Sequence, residues 1–242
     1  MEAEKVLVPN AAEGSALRAL ANDASSRKRF LKMVGGAGAA GAFGVFLAAC
    51  GSEEEPASPP TTGGETETGG AAGKDLEILN YALTLEFLEA DFYRQVIDSG
   101  EITDEEIASL AQTFGEQEQE HVDALMATIE QLGGTPTEAP QTDFEKVLSG
   151  GPEDILATAA MVENIGAAAY LGAAPDIESP EVLAAALSIH SVEARHAAAL
   201  NEAAGSEFAS NEDFVGSIPD GAFAQPATMD EVLKLVEPFL AK

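Results

Sequence analysis

Two copies of a Glu-x-x-His motif occur in this sequence of 242 residues. Glu118 precedes His121, and 75 residues later Glu193 precedes His196 in the same way. Residues three positions apart lie on one face of a helix, so each motif projects a carboxylate and an imidazole together. Carboxylate oxygen and imidazole nitrogen are ligands that suit iron, manganese or zinc. The spacing therefore predicts a metal site to which both motifs contribute.

Both motifs lie within apolar stripes of identical spacing. The two stripes read Ile107, Ala111, Phe114, Glu118, His121, Leu125 and Val182, Ala186, Ile189, Glu193, His196, Leu200. Stripes with this period face the inside of a helical bundle. Burial of ionisable groups in such a seam costs free energy unless something compensates for it. We therefore expect a charged partner inside the bundle.

Two further stripes each carry one glutamate, with a tyrosine seven residues after it. These pairs are Glu86 with Tyr93 and Glu163 with Tyr170. Two divalent cations would offset the charge of four buried carboxylates, which removes the cost of burying them. The two tyrosines are either hydrogen-bond donors that orient the carboxylates or ordinary core residues.

Two other ionisable residues lie close to the motifs in the sequence. Glu89 is one helical turn after Glu86, but its counterpart in the second half of the chain is Gly166, so symmetry favours Glu86 as the ligand. His190 is one helical turn before Glu193. It either lines the pocket or has a surface or capping role.

The elements that position these residues are helices. Apolar periodicity and end signals predict helices over about 75–98, 103–132, 152–173 and 180–204, and a short C-terminal helix over 228–240. Thr103 with Glu106 and Thr228 with Glu231 can form capping boxes. The segment 135–151 reads as a long crossover with about one helical turn. The first two helices and the next two form an internal repeat of two hairpins.

The residues after the repeat predict a tail that packs on the bundle. The loop 206–226 contains Phe208, Phe214 and Phe223, which we expect to dock. The apolar face of the short helix also needs a partner surface. The outside of the bundle is the expected partner, and a second subunit is the alternative.

One glutamate from each of two helices, with Glu-x-x-His from each of two others, resembles the ligand set of the ferritin-like di-metal carboxylate proteins. The resemblance covers about 75–204. It implies an all-α fold, an up-down four-helix bundle with a long crossover between its second and third helices, plus the short C-terminal helix. The tail is similar to that of exported ferritin-like proteins grouped with desiccation-related proteins.

The resemblance also implies a cofactor of two divalent ions, iron or manganese. Their ligands would be Glu86, Glu118, His121, Glu163, Glu193 and His196. Glu118 and Glu193 would bridge the ions, with Glu86 and Glu163 terminal and one histidine on each ion.

The function that the resemblance implies is oxygen or peroxide chemistry, as an oxidase, peroxidase or catalase, or protection against oxidative stress. Its small-molecule partners would then be metal ions and small oxidants. Two alternatives stay open: a non-catalytic stress or surface lipoprotein with a structural metal, and metal sequestration. The sequence leaves open whether the chain forms a homodimer.

The first part of the chain has the features of an export signal. Residues 1–49 combine a basic segment, which resembles a twin-arginine motif with Lys28 in place of the second arginine, with a short apolar run. The run ends in Leu-Ala-Ala-Cys50, which resembles a bacterial lipobox. We expect Cys50 to be lipidated, residues 50–73 to form a disordered tether, and the protein to be anchored to the outer face of a bacterial membrane. An unmodified cysteine and the general secretory route are the alternatives.

The charge of the remaining chain is strongly acidic. Residues 50–242 carry six basic and 38 acidic residues, a formal net charge of −32. Such a surface repels nucleic acid, so nucleic-acid binding is excluded as a function. The acidity fits either a high-salt environment or a need for solubility.

Overall fold

The computed structural model describes residues 68–205 and 223–241. Its helices are α1 (Thr68–Ser99), α2 (Glu105–Gln131), α3 (Glu145–Gly150), α4 (Pro152–Ala173), α5 (Pro180–Ala203) and α6 (Met229–Val236), with 3-10 turns at Ala174–Asp176 and Glu237–Phe239. Within these ranges the extended pairing is an isolated bridge between Thr142 and Leu240. The all-α prediction is therefore confirmed. The proposed export signal, Cys50 and the tether as far as residue 67 lie outside the described residues.

The four long helices pack as two hairpins. Helices α1 and α2 form the first, α4 and α5 form the second, and α1 also packs on α4 while α2 packs on α5. Gly100 allows the turn after α1 because its φ of 67° lies in the left-handed region that other residues avoid. The crossover between the hairpins contains α3, which is anchored by the fully buried ring of Phe144. The predicted four-helix bundle is confirmed.

Two predicted helix starts differ from the structure. Helix α1 begins at Thr68 rather than near residue 75, so 68–73 are helical rather than part of a tether. The predicted capping box at Thr103 is wrong, because Asp104 is the N-cap of α2 and accepts hydrogen bonds from the backbone N–H of Glu106 and Ile107. A short anionic side chain at this position can accept both bonds and also interacts favourably with the helix dipole.

The start of α5 is joined to the first hairpin by a buried aspartate. The carboxylate of Asp75 on α1 accepts hydrogen bonds from the backbone N–H of Glu178, at 2.8 Å, and of Ser179, at 2.9 Å. Ser179 in turn caps α5 by accepting a bond from Val182 N–H at 3.2 Å. These hydrogen bonds fix the N-terminal end of α5 relative to α1. They therefore also fix the register of the residues that the two helices direct inward.

The C-terminal segment packs against α4 of the same chain. The backbone N–H of Ala227 donates to the carbonyl of Ala168 at 3.0 Å, and Val232 and Val236 on α6 are buried against the bundle. The predicted capping box of Thr228 and Glu231 begins α6. The outside of the bundle is thus the partner surface for this helix.

The expectation that Phe223 docks on the bundle is wrong. Its side chain is 83% exposed, because the chain turns onto α4 only at Ala227. Phe208 and Phe214 lie outside the described residues.

Helix α4 is the most apolar element of the bundle. Together with the following turn, Pro152–Asp176, it is the one helix in the described part of the chain that is long and apolar enough to cross a membrane. Its most apolar window is 72% buried inside the bundle. The composition of α4 is therefore accounted for by its central position, where its alanines allow the other helices to approach closely.

Candidate metal centre

The six residues singled out by the sequence meet in the middle of the bundle. One comes from α1, two from α2, one from α4 and two from α5: Glu86, Glu118, His121, Glu163, Glu193 and His196. All six are buried, and His121 is the most accessible of them at 9% exposure. Each long helix therefore contributes to one site enclosed by all four.

The six residues form two overlapping groups of four. The first group is Glu86, Glu118, His121 and Glu193, and the second is Glu118, Glu163, Glu193 and His196. In each group the potential ligand atoms lie within 4.8 Å of one another. Glu118 and Glu193 belong to both groups, so they lie where carboxylates shared between two cations would lie.

Each imidazole directs its Nδ1 atom towards carboxylate oxygens. His121 Nδ1 is 2.8 Å from Glu118 Oε2 and 3.1 Å from Glu86 Oε2. His196 Nδ1 is 2.8 Å from Glu118 Oε1 and 3.2 Å from Glu163 Oε2. One ring nitrogen carries at most one hydrogen, so it cannot satisfy several carboxylates at once. A cation beside each Nδ1 atom would satisfy all of them.

Several carboxylate oxygens in the two shared residues lack a well-formed hydrogen bond. They are Glu118 Oε1 and both oxygens of Glu193. Glu118 Oε1 and Glu193 Oε1 meet only a ring nitrogen that other carboxylates also contact, His196 Nδ1 at 2.8 Å and His121 Nδ1 at 3.3 Å. Buried polar atoms are normally paired, and an unpaired buried carboxylate is especially costly. The donor set thus fits two divalent cations, since these would occupy the positions towards which the orphaned oxygens point.

Two tyrosines hold the unshared glutamates in place across the bundle. The hydroxyl of Tyr93 on α1 donates to Glu163 Oε1 on α4 at 2.5 Å. The hydroxyl of Tyr170 on α4 donates in the same way to Glu86 Oε1 on α1. Each bond leaves the second oxygen of its glutamate facing the centre. Of the two readings of these tyrosines, the structure thus supports hydrogen-bond donors that orient the carboxylates.

The environment of His196 includes a residue that the sequence analysis missed. Gln117 Oε1 lies 2.6 Å from His196 Nε2 and can accept the proton of that nitrogen, which would leave a lone pair on Nδ1 facing the centre. Phe114 stacks on the same ring at a centroid distance of 3.9 Å. Gln117 is next to Glu118 in the sequence but on a different helix face. Only the packing of α2 against α5 identifies it.

Two other ionisable residues occupy different positions. His190 is half-buried, and its Nδ1 lies 2.9 Å from the carbonyl oxygen of Ala167 in the interior of α4, so its ring packs on that helix and belongs to neither four-residue group. Glu89, which symmetry with Gly166 disfavours as a ligand, is also buried, and it approaches Glu193 next to Gly166. A signal for Glu89 was present in the sequence, because it lies one turn from Glu86 on the same helix face.

The electrostatics of the cluster are dominated by burial and by ion pairing with the imidazoles. Burial raises the pKa of Glu86 to about 7 and also raises that of Glu163. Burial alone would likewise favour neutral Glu118, but the adjacent imidazoles lower the pKa of Glu118 below its ordinary value. Burial opposes the charged form of His196, but Glu163 and Glu118 raise its pKa to about 9. Similar contacts raise the pKa of His121.

These shifts predict how stability of the metal-free protein depends on pH. Glu86 and His196 have pKa values of about 7 and about 9 in the folded state, above their ordinary values of 4.5 and 6.5. Groups with raised values contribute stability that is complete below the unfolded pKa and is lost as pH rises through the folded pKa. Glu118 has a lowered pKa, so its contribution is lost only below this window. We therefore expect the Tm of the metal-free protein to fall from about pH 5 to about pH 9.

Calorimetry of chelator-treated protein across this range tests the prediction. Saturating Mn²⁺ serves as the control, because metal ligands must be deprotonated and the dependence should then weaken or reverse. A Tm that rises with pH in the chelated protein would show that these groups are not titrating as described.

Comparison with known protein families matches residues 74–206 to the ferritin-like domain. The match covers more than half of the chain and includes all six residues of the buried cluster. A search of the curated proteins found no match.

Proposed function

The chain belongs to the ferritin-like domain family, and from this premise we propose that it holds two divalent ions, iron or manganese, for reactions with oxygen or hydrogen peroxide. The observation that carries the proposal is the pair of overlapping four-residue groups that share Glu118 and Glu193. A symmetric pair of sites with common carboxylates suits a dinuclear centre better than a single structural ion. When bound, such ions supply redox change and open coordination positions for a small oxidant.

The residues around the centre have separate roles in this proposal. Tyr93 and Tyr170 keep the unshared carboxylates oriented, and Gln117 holds the proton of His196 on the nitrogen that faces away from the centre. His121 is the most exposed of the six ligands, so oxygen or peroxide would approach the centre past this ring. The other ligands exclude bulk water from the site.

The experiment that tests the proposal uses the full chain reconstituted with iron or with manganese. Metal content per chain is measured by native mass spectrometry, and loss of hydrogen peroxide and oxidation of added ferrous iron are then followed. We expect both ions to be retained and at least one oxidant to be consumed catalytically. Failure to bind metal under either condition would refute the proposal.

A structural metal is a second candidate, and the near-complete burial of five of the six ligands favours it. In that case the bound ions would raise the Tm but would react neither with peroxide nor with oxygen. Thermal unfolding with and without metal, together with the peroxide and ferrous-oxidation assays, separates the candidates. A structural centre raises the Tm without consuming an oxidant, whereas a catalytic centre consumes at least one.

We further propose that the protein is exported and held to the outer face of a bacterial membrane through lipidated Cys50. The support is the basic leader, the short apolar run and the Leu-Ala-Ala-Cys sequence. Metabolic labelling with a radioactive fatty acid tests this, with Cys50→Ala as the unlabelled control. Equal labelling of both proteins would reject lipidation at Cys50.

A further inference from the structure

Glu89 is a fifth buried carboxylate beside the centre. It lies on α1 one turn after Glu86, and only 3% of its surface is exposed. Its Oε2 atom is buried and has no hydrogen-bond partner within the described part of the chain. A buried carboxylate without a donor is unfavourable unless a cation lies near it.

Gly166 on α4 indicates where this carboxylate points. A Cβ atom at position 166 would lie 2.8 Å from Glu89 Oε1 and 2.5 Å from Glu193 Oε2. The two oxygens therefore converge on the same part of α4, and the absence of a side chain there leaves room for both. Glu89 itself is in neither four-residue group, but the residue it approaches, Glu193, belongs to both.

The internal repeat supplies this additional carboxylate in only one of the two hairpins. Glu89 on α1 corresponds to Gly166 on α4, so the fifth carboxylate comes from the first hairpin alone. A second glutamate at 166 would overlap the oxygens that already occupy the space. The pairing of a carboxylate with a glycine thus places one additional negative group beside Glu193.

We propose that Glu89 is a seventh protein ligand of the dinuclear centre, which binds beside the shared carboxylate Glu193 in the space left by Gly166. This inference rests on the proposed function. Four carboxylates balance the charge of two divalent ions, and a fifth adds a net negative charge. That charge favours a higher metal oxidation state, because the more positive ions interact more strongly with it.

The test compares Glu89→Gln with Glu77→Gln in the full chain. Glu77 is an exposed glutamate on the same helix, so it controls for the change from carboxylate to amide. Mn²⁺ binding is measured by titration calorimetry, and thermal unfolding is measured with and without Mn²⁺. We expect Glu89→Gln to weaken binding of at least one ion by about 10- to 100-fold. We also expect it to raise the Tm of the metal-free protein, since a repelling charge is removed.

A second variant separates ligation from charge. Glu89→Asp keeps the charge but shortens the side chain, so it should weaken Mn²⁺ binding without raising the metal-free Tm. In iron-loaded protein, the midpoint potential of Glu89→Gln should lie above that of the wild type, because the lost charge favoured the oxidised metal.

The outcomes distinguish this inference from the proposed function. Wild-type affinity and midpoint potential in Glu89→Gln would overturn the role of Glu89 and leave the dinuclear centre intact. A wild-type chain that binds neither Mn²⁺ nor Fe²⁺ would overturn both. A Glu89→Gln variant whose metal-free Tm falls, with unchanged affinity, would make Glu89 a structural residue.

Discussion

Glu193→Gln and Glu118→Gln are both expected to abolish binding of the two ions, but with opposite effects on the metal-free protein. Both residues belong to both four-residue groups, so each substitution damages both metal positions. Neither oxygen of Glu193 has a well-formed hydrogen bond, the nearest ring nitrogen being His121 Nδ1 at 3.3 Å from Oε1, and the pKa of Glu193 is raised well above the usual range by burial and by Glu118. Replacing it with a neutral amide should stabilise the metal-free protein by about 1–3 kcal/mol.

Glu118 has the opposite environment. Both imidazoles contact its carboxylate, each at 2.8 Å, and its pKa is correspondingly lowered despite burial. Removing this charge leaves protonated His121 and His196 without their shared partner. Loss of one member of a buried ion pair typically costs about 3–5 kcal/mol, and we expect a destabilisation of that order.

Metal content per chain and urea unfolding of chelator-treated protein measure these effects. Glu120→Gln is the matched control, because Glu120 lies on α2 but is exposed and should alter neither quantity. Retention of both ions by Glu193→Gln would contradict the shared role of this residue. Equal destabilisation by the two substitutions would contradict the charge distribution described for the cluster.

Gly172→Ala is expected to detach the C-terminal segment from the bundle. A Cβ atom at position 172 would overlap the carbonyl oxygen of Ala227 and lie 2.8 Å from its carbonyl carbon. Both contacts are with backbone, so no side-chain rotation relieves them. Detachment would expose Val232 and Val236, and loss of burial costs about 1.5–3 kcal/mol for each such side chain. We therefore expect a loss of several kcal/mol in unfolding free energy.

Gly73→Ala provides the matched control for this substitution. Gly73 is also helical, and a Cβ atom there meets nothing within 4 Å. Alanine at an open helical position should stabilise the protein by up to about 1 kcal/mol. Thermal unfolding and limited proteolysis after residue 223 report the result. A Gly172→Ala protein as stable and protease-resistant as Gly73→Ala would show that the packing of the segment contributes little.

The two hairpins are similar but not equivalent, and this affects how the centre would work. His196 has Gln117 on its outer nitrogen and Phe114 stacked on its ring, whereas His121 is the more exposed imidazole. Glu89 adds a carboxylate from the first hairpin alone. The two metal positions should therefore differ in affinity and in access, although their four-residue groups have the same composition.

The helices, their pairing and the six residues of the cluster could all be predicted from the sequence. These features depend on local periodicity: residues three, four and seven positions apart share a helix face whatever the rest of the chain does. Both hairpins carry the same stripe of apolar residues, and both stripes face the interior of the bundle. Glu118 and Glu193 occupy equivalent positions in these stripes, so they are expected to meet there. The predicted ends of the helices were less accurate than the helices themselves. Asp104, rather than Thr103, caps α2, because the side chains of both adjacent residues can accept hydrogen bonds from the N–H groups of the first turn.

The surroundings of those six residues depend on how the helices pack, which local periodicity does not show. Gln117 meets His196 because α2 packs on α5, and no periodicity within α2 indicates that approach. Glu89 remained outside the sequence-based ligand set because symmetry with Gly166 argued against it, whereas in the folded chain that glycine is what makes space for it. Contacts of this kind depend on the distance between helices to within about the width of an atom, and that distance is set by the packing of all the interior side chains together.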